Sequence, residues 1–564
     1  MSGFVTYGGP RPVAEAKPVV SILRPFHRRI FFAIWVAALV SNIGTWVQNV
    51  GAAWLMTSLT PSPLMVALIQ TASSLPILLM ALPAGALADI VDRRRLLIVS
   101  QAWMLAAAGS LGFLTLTRSV TPWTLLALSF ALGIGSALNA PAWQAIIPEL
   151  VGREDLTAAI SLNGINYNVA RAIGPAIGGL IVAAAGIGPT FLLNALSFLG
   201  VMAVLYQWRR VARPAVLPAE RVMGAIRAGV RYVRYDTKLR AVLVQTAAFI
   251  FGASTLWAVL PSVARWSLGL GAAGYGMLLG FFGGGAIIGG MLMPRLGRRF
   301  SRDTIVFAAM IVVAAGTAAL ASTHNVVLAC AALTITGGAW TIAMASLNVA
   351  AQLSVPAWVQ GRALATYQMI VQGGMALGAV MWGYAALRIG LPEALVGGAA
   401  AIMLGLVTRL WFRLATDAEL NLALVSRPMP DVAHAIDPDS GPVLITVEYL
   451  IDPERAIEFE RAARALREIR RRDGATFWGM FFDAAAPGRF VEYFAVESWL
   501  EHLRQHQRVT AADLFILDQV FAFHIGANSP AVTHQVSAQS LDGANAEFFA
   551  QIAATGVRDP DAAQ

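Results

Sequence analysis

Charge is what this 564-residue chain has least of. Only 13% of its residues are Asp, Glu, Lys or Arg, and 57% are hydrophobic. Soluble globular chains carry about 25% charged residues, so a soluble protein of this size would lack the polar groups to cover its surface. A single cysteine, Cys330, excludes an intrachain disulfide and any cysteine cluster for zinc or iron–sulfur. The seven histidines all lie outside the deep apolar runs, which argues against a metal site within them. Acids are missing from the same runs: Asp89, Asp92, Glu149, Glu154, Asp155, Glu220, Asp236, Asp303 and Glu393 all fall near run ends. The glycine-rich string GGGAIIGG, Gly283 to Gly290, lacks the GxxxxGK[ST] pattern of a phosphate loop, so direct use of ATP is not expected. No apolar core of a signal peptide precedes Arg28 and Arg29, and the first apolar run is expected to be retained.

Long apolar stretches are what the chain does have. Twelve can be marked, at roughly 30–56, 63–88, 96–116, 122–147, 157–185, 188–208, 241–264, 271–293, 304–322, 326–353, 363–387 and 391–412. About 20 apolar residues span a bilayer as a helix, and lipid offers backbone N–H and C=O groups no partner, so each must be helical. The net charge is +9, but the placement of the cations matters more than their sum. Arg24, Arg28 and Arg29 precede the first stretch. Arg93 to Arg95 follow the second, a dense basic segment (Arg209 to Lys238) the sixth, and Arg295, Arg298 and Arg299 the eighth. The alternate loops hold only Arg118, Arg265 and Arg388. By the positive-inside rule both termini and the middle loop are expected in the cytoplasm. Nucleic acid is not an expected partner; the lipid bilayer is.

The two sets of six stretches repeat. Gly85 of GALADIVDRRR and Gly290 of GMLMPRLGRRF stand 205 residues apart, Gly174 and Gly378 stand 204 apart, and Arg153 and Arg362 stand 209 apart. Past Leu414 the chain changes character. VLITVEYLI (443–451) reads as a strand, 453–472 as a helix, 475–483 and 489–499 as strands, 499–521 as a helix and 522–536 as a strand. The order β-α-β-β-α-β is that of a ferredoxin-like sandwich. The expected organisation is therefore an N-terminal segment 1–29, a six-helix bundle 30–208, a linker 209–240, a second bundle 241–413, a linker 414–440, a soluble α+β domain 441–536 and a frayed tail 537–564.

From about Arg29 to Arg413 the chain resembles the major facilitator superfamily, an all-α polytopic fold of twelve transmembrane helices in two six-helix halves. GALADIVDRRR resembles the superfamily's loop between spans two and three: Gly85, Leu87, Ala88, Asp89, Arg93 and Arg94 match, while Ile90 and Asp92 depart from it. The second copy keeps Gly290, Arg298 and Arg299 but has Pro294 in place of the acid. NAPAWQAIIPELVGREDL (139–156), ARAIGPAIGG (170–179) and 347–383 resemble the bacterial exporter group that includes the enterobactin (siderophore) exporter. GPAIGG, with Gly174, Pro175, Gly178 and Gly179, resembles the superfamily's antiporter motif, although Ala170 replaces a glycine. Residues 470–510 resemble small ferredoxin-like domains of the antibiotic-biosynthesis monooxygenase type, which pair through their sheets.

These resemblances imply a secondary exporter of small molecules working by alternating access, with proton coupling, in a bacterial inner membrane. Dimerisation is expected through the C-terminal domain, with the transport half monomeric and no cofactor or metal. Gly85, Asp89, Arg93, Arg94, Arg298 and Arg299 are the expected gate, in which Asp89 sits near the positive end of a helix dipole. Arg171 lies about 20 Å into its span. A mid-membrane arginine costs at least about 2.5 kcal/mol and faces a cavity or partner, so it is the first candidate for substrate or coupling. Asn42, Gln48, Asn139, Asn166, Asn348 and Gln372 are neutral candidates for the same cavity, each of which also suits a helix–helix hydrogen bond. Trp46, Trp143, Tyr167, Trp257 and Trp340 would suit a large, partly apolar solute. Two other readings stay open: an importer of the same fold, and a membrane-anchored enzyme or sensor whose C-terminal domain is the active part, with Trp478, Trp499, His502, His506 and Arg508 as its cluster.

Overall fold

The computed structural model describes residues 23–208, 222–356, 358–415, 432 and 436–537, and of residues 82, 86, 88–90, 153 and 222–228 the backbone alone. Residues 1–22 of the expected N-terminal segment, 209–221 of the first linker, most of the second linker and the tail from 538 lie outside the described residues. Six helices form the first half: α1 (Arg29–Leu59), α2 (Pro63–Ile90), α3 (Arg93–Leu116), α4 (Pro122–Leu150), α5 (Leu156–Ala185) and α6 (Gly188–Gln207). After α7 (Val222–Tyr235), six more form the second: α8 (Thr237–Ser262), α9 (Ala272–Arg299), α10 (Arg302–Ser322), α11 (Val326–Leu353), α12 (Gln360–Ile389) and α13 (Leu391–Gly405). Among the described residues twelve helices are long and apolar enough to cross a membrane.

The helix starts follow from local chemistry. Ser62, Asp92, Thr121, Asp236, Ser301 and Asn325 each accept a hydrogen bond from a first-turn backbone N–H, satisfying donors the helix leaves unpaired. Asp92, which departs from the superfamily loop, is thus the N-cap of α3: its Oδ1 accepts from Arg95 N at 2.9 Å. Gly186 and Gly390 close α5 and α12 at φ +84° and +109°, a conformation glycine adopts without a Cβ penalty.

The repeat is visible in three dimensions. Gly85 and Gly290 lie on the second helix of each half, and Gly174 and Gly378 on the fifth. The halves meet through that same pairing, the fifth helix of one against the second of the other: α5 packs on α9 and α12 on α2. At the α5–α9 crossing a Cβ on Gly179 would sit 2.8 Å from Gly276 Cα, and one on Gly283 would sit 2.9 Å from Ala172 Cα. On the other side Gly383 abuts Leu64 and Ala67, Thr71 Oγ1 donates to Ala376 O at 3.0 Å, and Gly373 reaches Leu78.

These contacts lie in the portion of the bundle away from the arginine clusters. At that far end Trp54 stacks on Tyr275 with ring centroids 6.2 Å apart. Arg265 donates to Ser58 Oγ at 3.0 Å and Thr57 Oγ1 at 3.3 Å, and lies over the Trp54 ring. Toward the arginine-bearing end the crowding stops. Gly164, Gly85, Gly290 and Gly297 have open space where a side chain would project. The tight contacts between the halves named here are concentrated at the far end, and these four glycines nearer the basic end are uncrowded.

The C-terminal module comprises β1 (Val443–Leu450), α14 (Ala456–Arg472), β2 (Phe477–Phe482), β3 (Arg489–Val496), α15 (Trp499–Arg508), α16 (Ala511–Phe521) and β4 (Ala531–Val536). The sheet order is β2-β3-β1-β4 and every pairing is antiparallel, the topology of a ferredoxin-like sandwich. Two expectations are corrected. The helix expected over 499–521 is broken after Arg508, where Thr510 begins a capping box with Asp513. The last strand starts at Ala531 rather than 522, because a turn with a bridge from His524 to Ile451 intervenes. The basic loop, expected as a linker, holds helix α7. Its Tyr232 is fully buried, stacked edge-on against Trp358 and beneath the Arg472 guanidinium. Arg231 pairs with Glu501 at 2.9 Å and Arg508 lies over Trp358 at 4.2 Å. These contacts seat the module on α7 and on the entry to α12.

Filling the α5–α9 crossing will force the halves apart, because overpacked helix contacts cannot yield without backbone movement. In a Cys330→Ser background, Tyr275→Cys is expected to react slowly with a maleimide in purified protein. Adding Gly179→Leu should raise that rate about tenfold, a shift of about 1.4 kcal/mol in the closed-to-open balance. An unchanged rate would show that the glycine contact does not hold this end shut.

Candidate functional site

Arg171 lies midway along the 30-residue α5, one residue before Ala172, which touches Gly283 across the halves. It therefore stands where the packed part of the molecule ends and the opening begins. Its guanidinium carbon is 5.8 Å from the ring centroids of both Trp257 on α8 and Phe282 on α9, two residues of the other half. Its Nε is buried and has no hydrogen-bond partner among the described residues. The rings around it form one continuous aromatic wall. Trp46 on α1 lies 6.4 Å from Tyr167 and 6.3 Å from Trp257, and Trp257 lies 5.3 Å from Phe282 and 5.9 Å from Trp340 on α11. Phe249 backs Trp340 at 5.4 Å. The buried Trp257 Nε1 and Thr341 Oγ1 also lack a partner among the described residues.

The chemistry of this arrangement is a delocalised cation against π faces. Such a contact is worth roughly 0.5–2 kcal/mol, less than a carboxylate partner would supply. The guanidinium keeps donors in a planar fork suited to a carboxylate or phosphate. The site can hold a solute with an aromatic or apolar body and an anionic or strongly accepting group.

Four of the neutral candidates are hydrogen-bonded between helices. Asn42 Nδ2 donates to Asn166 Oδ1 at 2.8 Å, and Asn166 Nδ2 to Trp35 O at 2.8 Å, joining α1 to α5. Gln48 accepts from Asn194 at 2.7 Å, joining α1 to α6. Asn139 accepts from Gln101 at 3.1 Å, joining α4 to α3. Each of these bonds lies inside the first half. Asn348 accepts from Gln352 one turn along α11, and Gln372 is half-buried on α12. Gly174 and Gly178 admit α1, where a Cβ would meet Trp46 Cβ at 2.5 Å and Val47 Cα at 3.0 Å; Gly179 faces the other half, and Pro175 is buried between.

At the basic end Arg93 donates to Glu149 Oε1 at 2.8 Å and to Ala145 O at 3.1 Å, bridging α3 to α4. Arg94 caps the end of α6 through Leu205 O and Tyr206 O. Arg298 and Arg299 are exposed on the last turn of α9, where Arg298 Nε contacts Pro294 O at 3.3 Å. Gly85 and Asp89 lie in the final turns of α2; the Asp89 side chain is outside the described residues. Arg265 is the residue the sequence reading passed over. A lone charge in a loop otherwise stripped of charge was the available signal, and the structure places it across the halves.

Comparison with known proteins agrees with this architecture. The family model for transmembrane secretion effectors matches residues 20–541. The staphyloferrin A transporter of Staphylococcus aureus is 31% identical over 157 residues, 28% of this chain and 40% of that protein. The match therefore spans less than half of that relative. The multidrug efflux pump Tap of Mycolicibacterium fortuitum is 25% identical over 398 residues, 66% of this chain and 94% of the pump. An uncharacterised transporter of Bacillus subtilis, YfiS, is 26% identical over 67% of this chain and 91% of its own length. Among solved structures, a transporter of the POT family in complex with 5-aminolevulinic acid superposes with a TM-score of 0.55 at 14% identity, covering 68% of this chain and 96% of that one. The chain belongs to the transmembrane secretion effector family of major facilitator transporters and is a multi-pass membrane protein.

The hydrogen bond between Asn42 and Asn166 separates helix packing from solute binding. Interhelical side-chain bonds in membranes contribute about 0.6 kcal/mol on average and up to about 1.7. Asn42→Ala is expected to lower thermal stability in detergent by an amount in that range while leaving the apparent substrate affinity unchanged. A weakened affinity with unaltered stability would move Asn42 into the solute site.

Proposed function

We propose that this chain, as a member of that family, exports small organic solutes by rocking its two halves about the Arg171 site. The observation that carries the reading is the unpaired, half-buried Arg171 held between Trp257 and Phe282 of the opposite half, at the inner limit of the opening. A carrier that alternates access needs its solute site where both halves contribute and where neither end is permanently open. The solute class that fits is amphipathic and anionic or rich in acceptors, siderophore-like or drug-like. The relatives that carry staphyloferrin A or multiple drugs support that class. The crowded GPAIGG segment supports export rather than import, in line with its resemblance to the antiporter motif.

The basic end faces the cytoplasm of a bacterial inner membrane in this reading, because cationic loops resist translocation. The open arrangement is then the one that loads solute from inside. The gate consists of Gly85, Asp89, Arg93 and Arg94 of the first half with Arg298 and Arg299 of the second. Asp89 finds a basic partner across the halves when the basic end closes. Proton coupling falls to Asp89 or Glu149, with the Arg93–Glu149 pair as its resting contact. The C-terminal module resembles the antibiotic-biosynthesis monooxygenase domains in topology and acts as a regulatory or dimerising appendage. Its seat on α7 favours that role over an independent enzyme.

Two measurements test this. In inverted vesicles given an inside-acid proton gradient and supplied externally with an anionic siderophore, Arg171→Gln should abolish uptake at normal protein levels, with Arg171→Lys retaining a fraction. Full transport by Arg171→Gln would leave the arginine a packing role. Asp89→Asn should slow turnover by about tenfold or more with solute binding retained, since a contact made in one conformer biases the cycle rather than the site; an unchanged rate removes Asp89 from the gate.

A further inference from the structure

Three histidines that are far apart in the chain converge in the C-terminal module. His502 and His506 stand one turn apart on α15, and residues at that spacing face the same way. His534 lies on the edge strand β4, opposite Ile445, on the sheet face that the helices cover. One ring nitrogen from each of the three lies within 4.8 Å of the others. His502 Nε2 and His506 Nε2 are 3.4 Å apart, and the ring centroids of His502 and His534 are 4.8 Å apart. Two ligands at Zn–N distances of 2.0–2.1 Å in a tetrahedron are about 3.3 Å apart. The helical pair already has that spacing, and His534 has to close by at most about 1.5 Å.

We propose that His502, His506 and His534 bind a borderline divalent transition metal, Zn2+ first, through three imidazole nitrogens with a fourth position left for water or a small ligand. The donor set is wholly nitrogen, which suits Zn2+, Cu2+, Ni2+ or Co2+ and not Mg2+ or Ca2+, whose ligands are oxygens. The surroundings fix the tautomer a ligand needs. His502 is 3% exposed, and its Nδ1 faces Gln505 Oε1 at 3.4 Å. The Gln505 amide is in turn oriented by donating to Asp473 O at 3.4 Å. An amide oxygen accepts, so His502 Nδ1 carries the proton and Nε2 presents its lone pair to the cluster. An outer partner of this type orients metal-binding histidines generally. Metal binding requires neutral imidazole, and burial disfavours the charged form of His502 and His534.

The position gives the site a consequence. Helix α15 carries the histidine pair facing β4, and it also carries Glu501 and Arg508, which engage Arg231 of α7 and Trp358 before α12. A bound cation would pin α15 to the edge strand and stiffen the same helix that holds the module to the membrane bundle.

The test uses the full-length protein, purified in detergent without a histidine tag and stripped with EDTA. Dialysis against Zn2+ should leave one equivalent per chain, and Co2+ in its place should give the visible d–d absorption of a four-coordinate centre. His534→Gln and His506→Gln should each weaken Zn2+ binding by about tenfold or more, with an unchanged elution volume and circular dichroism spectrum. Retention of the full Zn2+ equivalent by His534→Gln overturns the assignment. Should the variants fail to fold, the wild-type protein decides: absence of both stoichiometric Zn2+ and the Co2+ spectrum overturns it, and a melting temperature raised by Zn2+ but not by Mg2+ supports it.

Discussion

Everything in the membrane part turns on how closely α5 and α9 approach. At Gly179 and Gly276 backbone meets backbone, and neither position has room for a Cβ. In lipid there is no hydrophobic drive to join helices, so association rests on van der Waals contact, and small residues maximise it. That contact is confined to one end. The same helix pair is free of crowding at Gly164 and Gly290. A crossing tight at one end and open at the other lets two rigid bundles pivot rather than deform.

The arginine follows from this geometry. Buried in lipid it would need a carboxylate, and the spans contain no deep acid. Placed at the limit of the opening it can keep part of its donor fork toward the cavity, while Trp257 and Phe282 offer their ring faces. Aromatic contacts satisfy a guanidinium weakly enough that an anionic solute can compete for it. Since both rings belong to the other half, any rotation of the halves changes the environment of the charge. In the proposed cycle, binding and conformation are linked through this one side chain.

Much of this was legible in the chain. Absence of charge marked the spans, because lipid tolerates few exceptions; α11, Val326–Leu353, coincides with its expected range. The offset between Gly85 and Gly290 announced the repeat, since each half has to build the same turn. Arg171 stood out because its position is costly. The amides did not resolve themselves: Asn42, Gln48, Asn139 and Asn166 suit a cavity or a neighbouring helix equally, and only packing shows that each has a partner within its half. Helix α7 was hidden because its arginines read as a topology signal, while the apolar side that buries Tyr232 emerges only against Trp358 and Arg472. His534 could not be joined to His502 without the register of β4 on β1, a pairing that spans some ninety residues of chain.

Helix α7 packs on α8 and α12, both in the second bundle, and the C-terminal module is anchored to α7 and Trp358. Among the described residues the appended sheet is therefore anchored to the second half. When the halves rock, the first bundle swings past it as a door past its frame, and whatever docks on the sheet keeps a fixed view of one wall of the cavity while the other wall sweeps by.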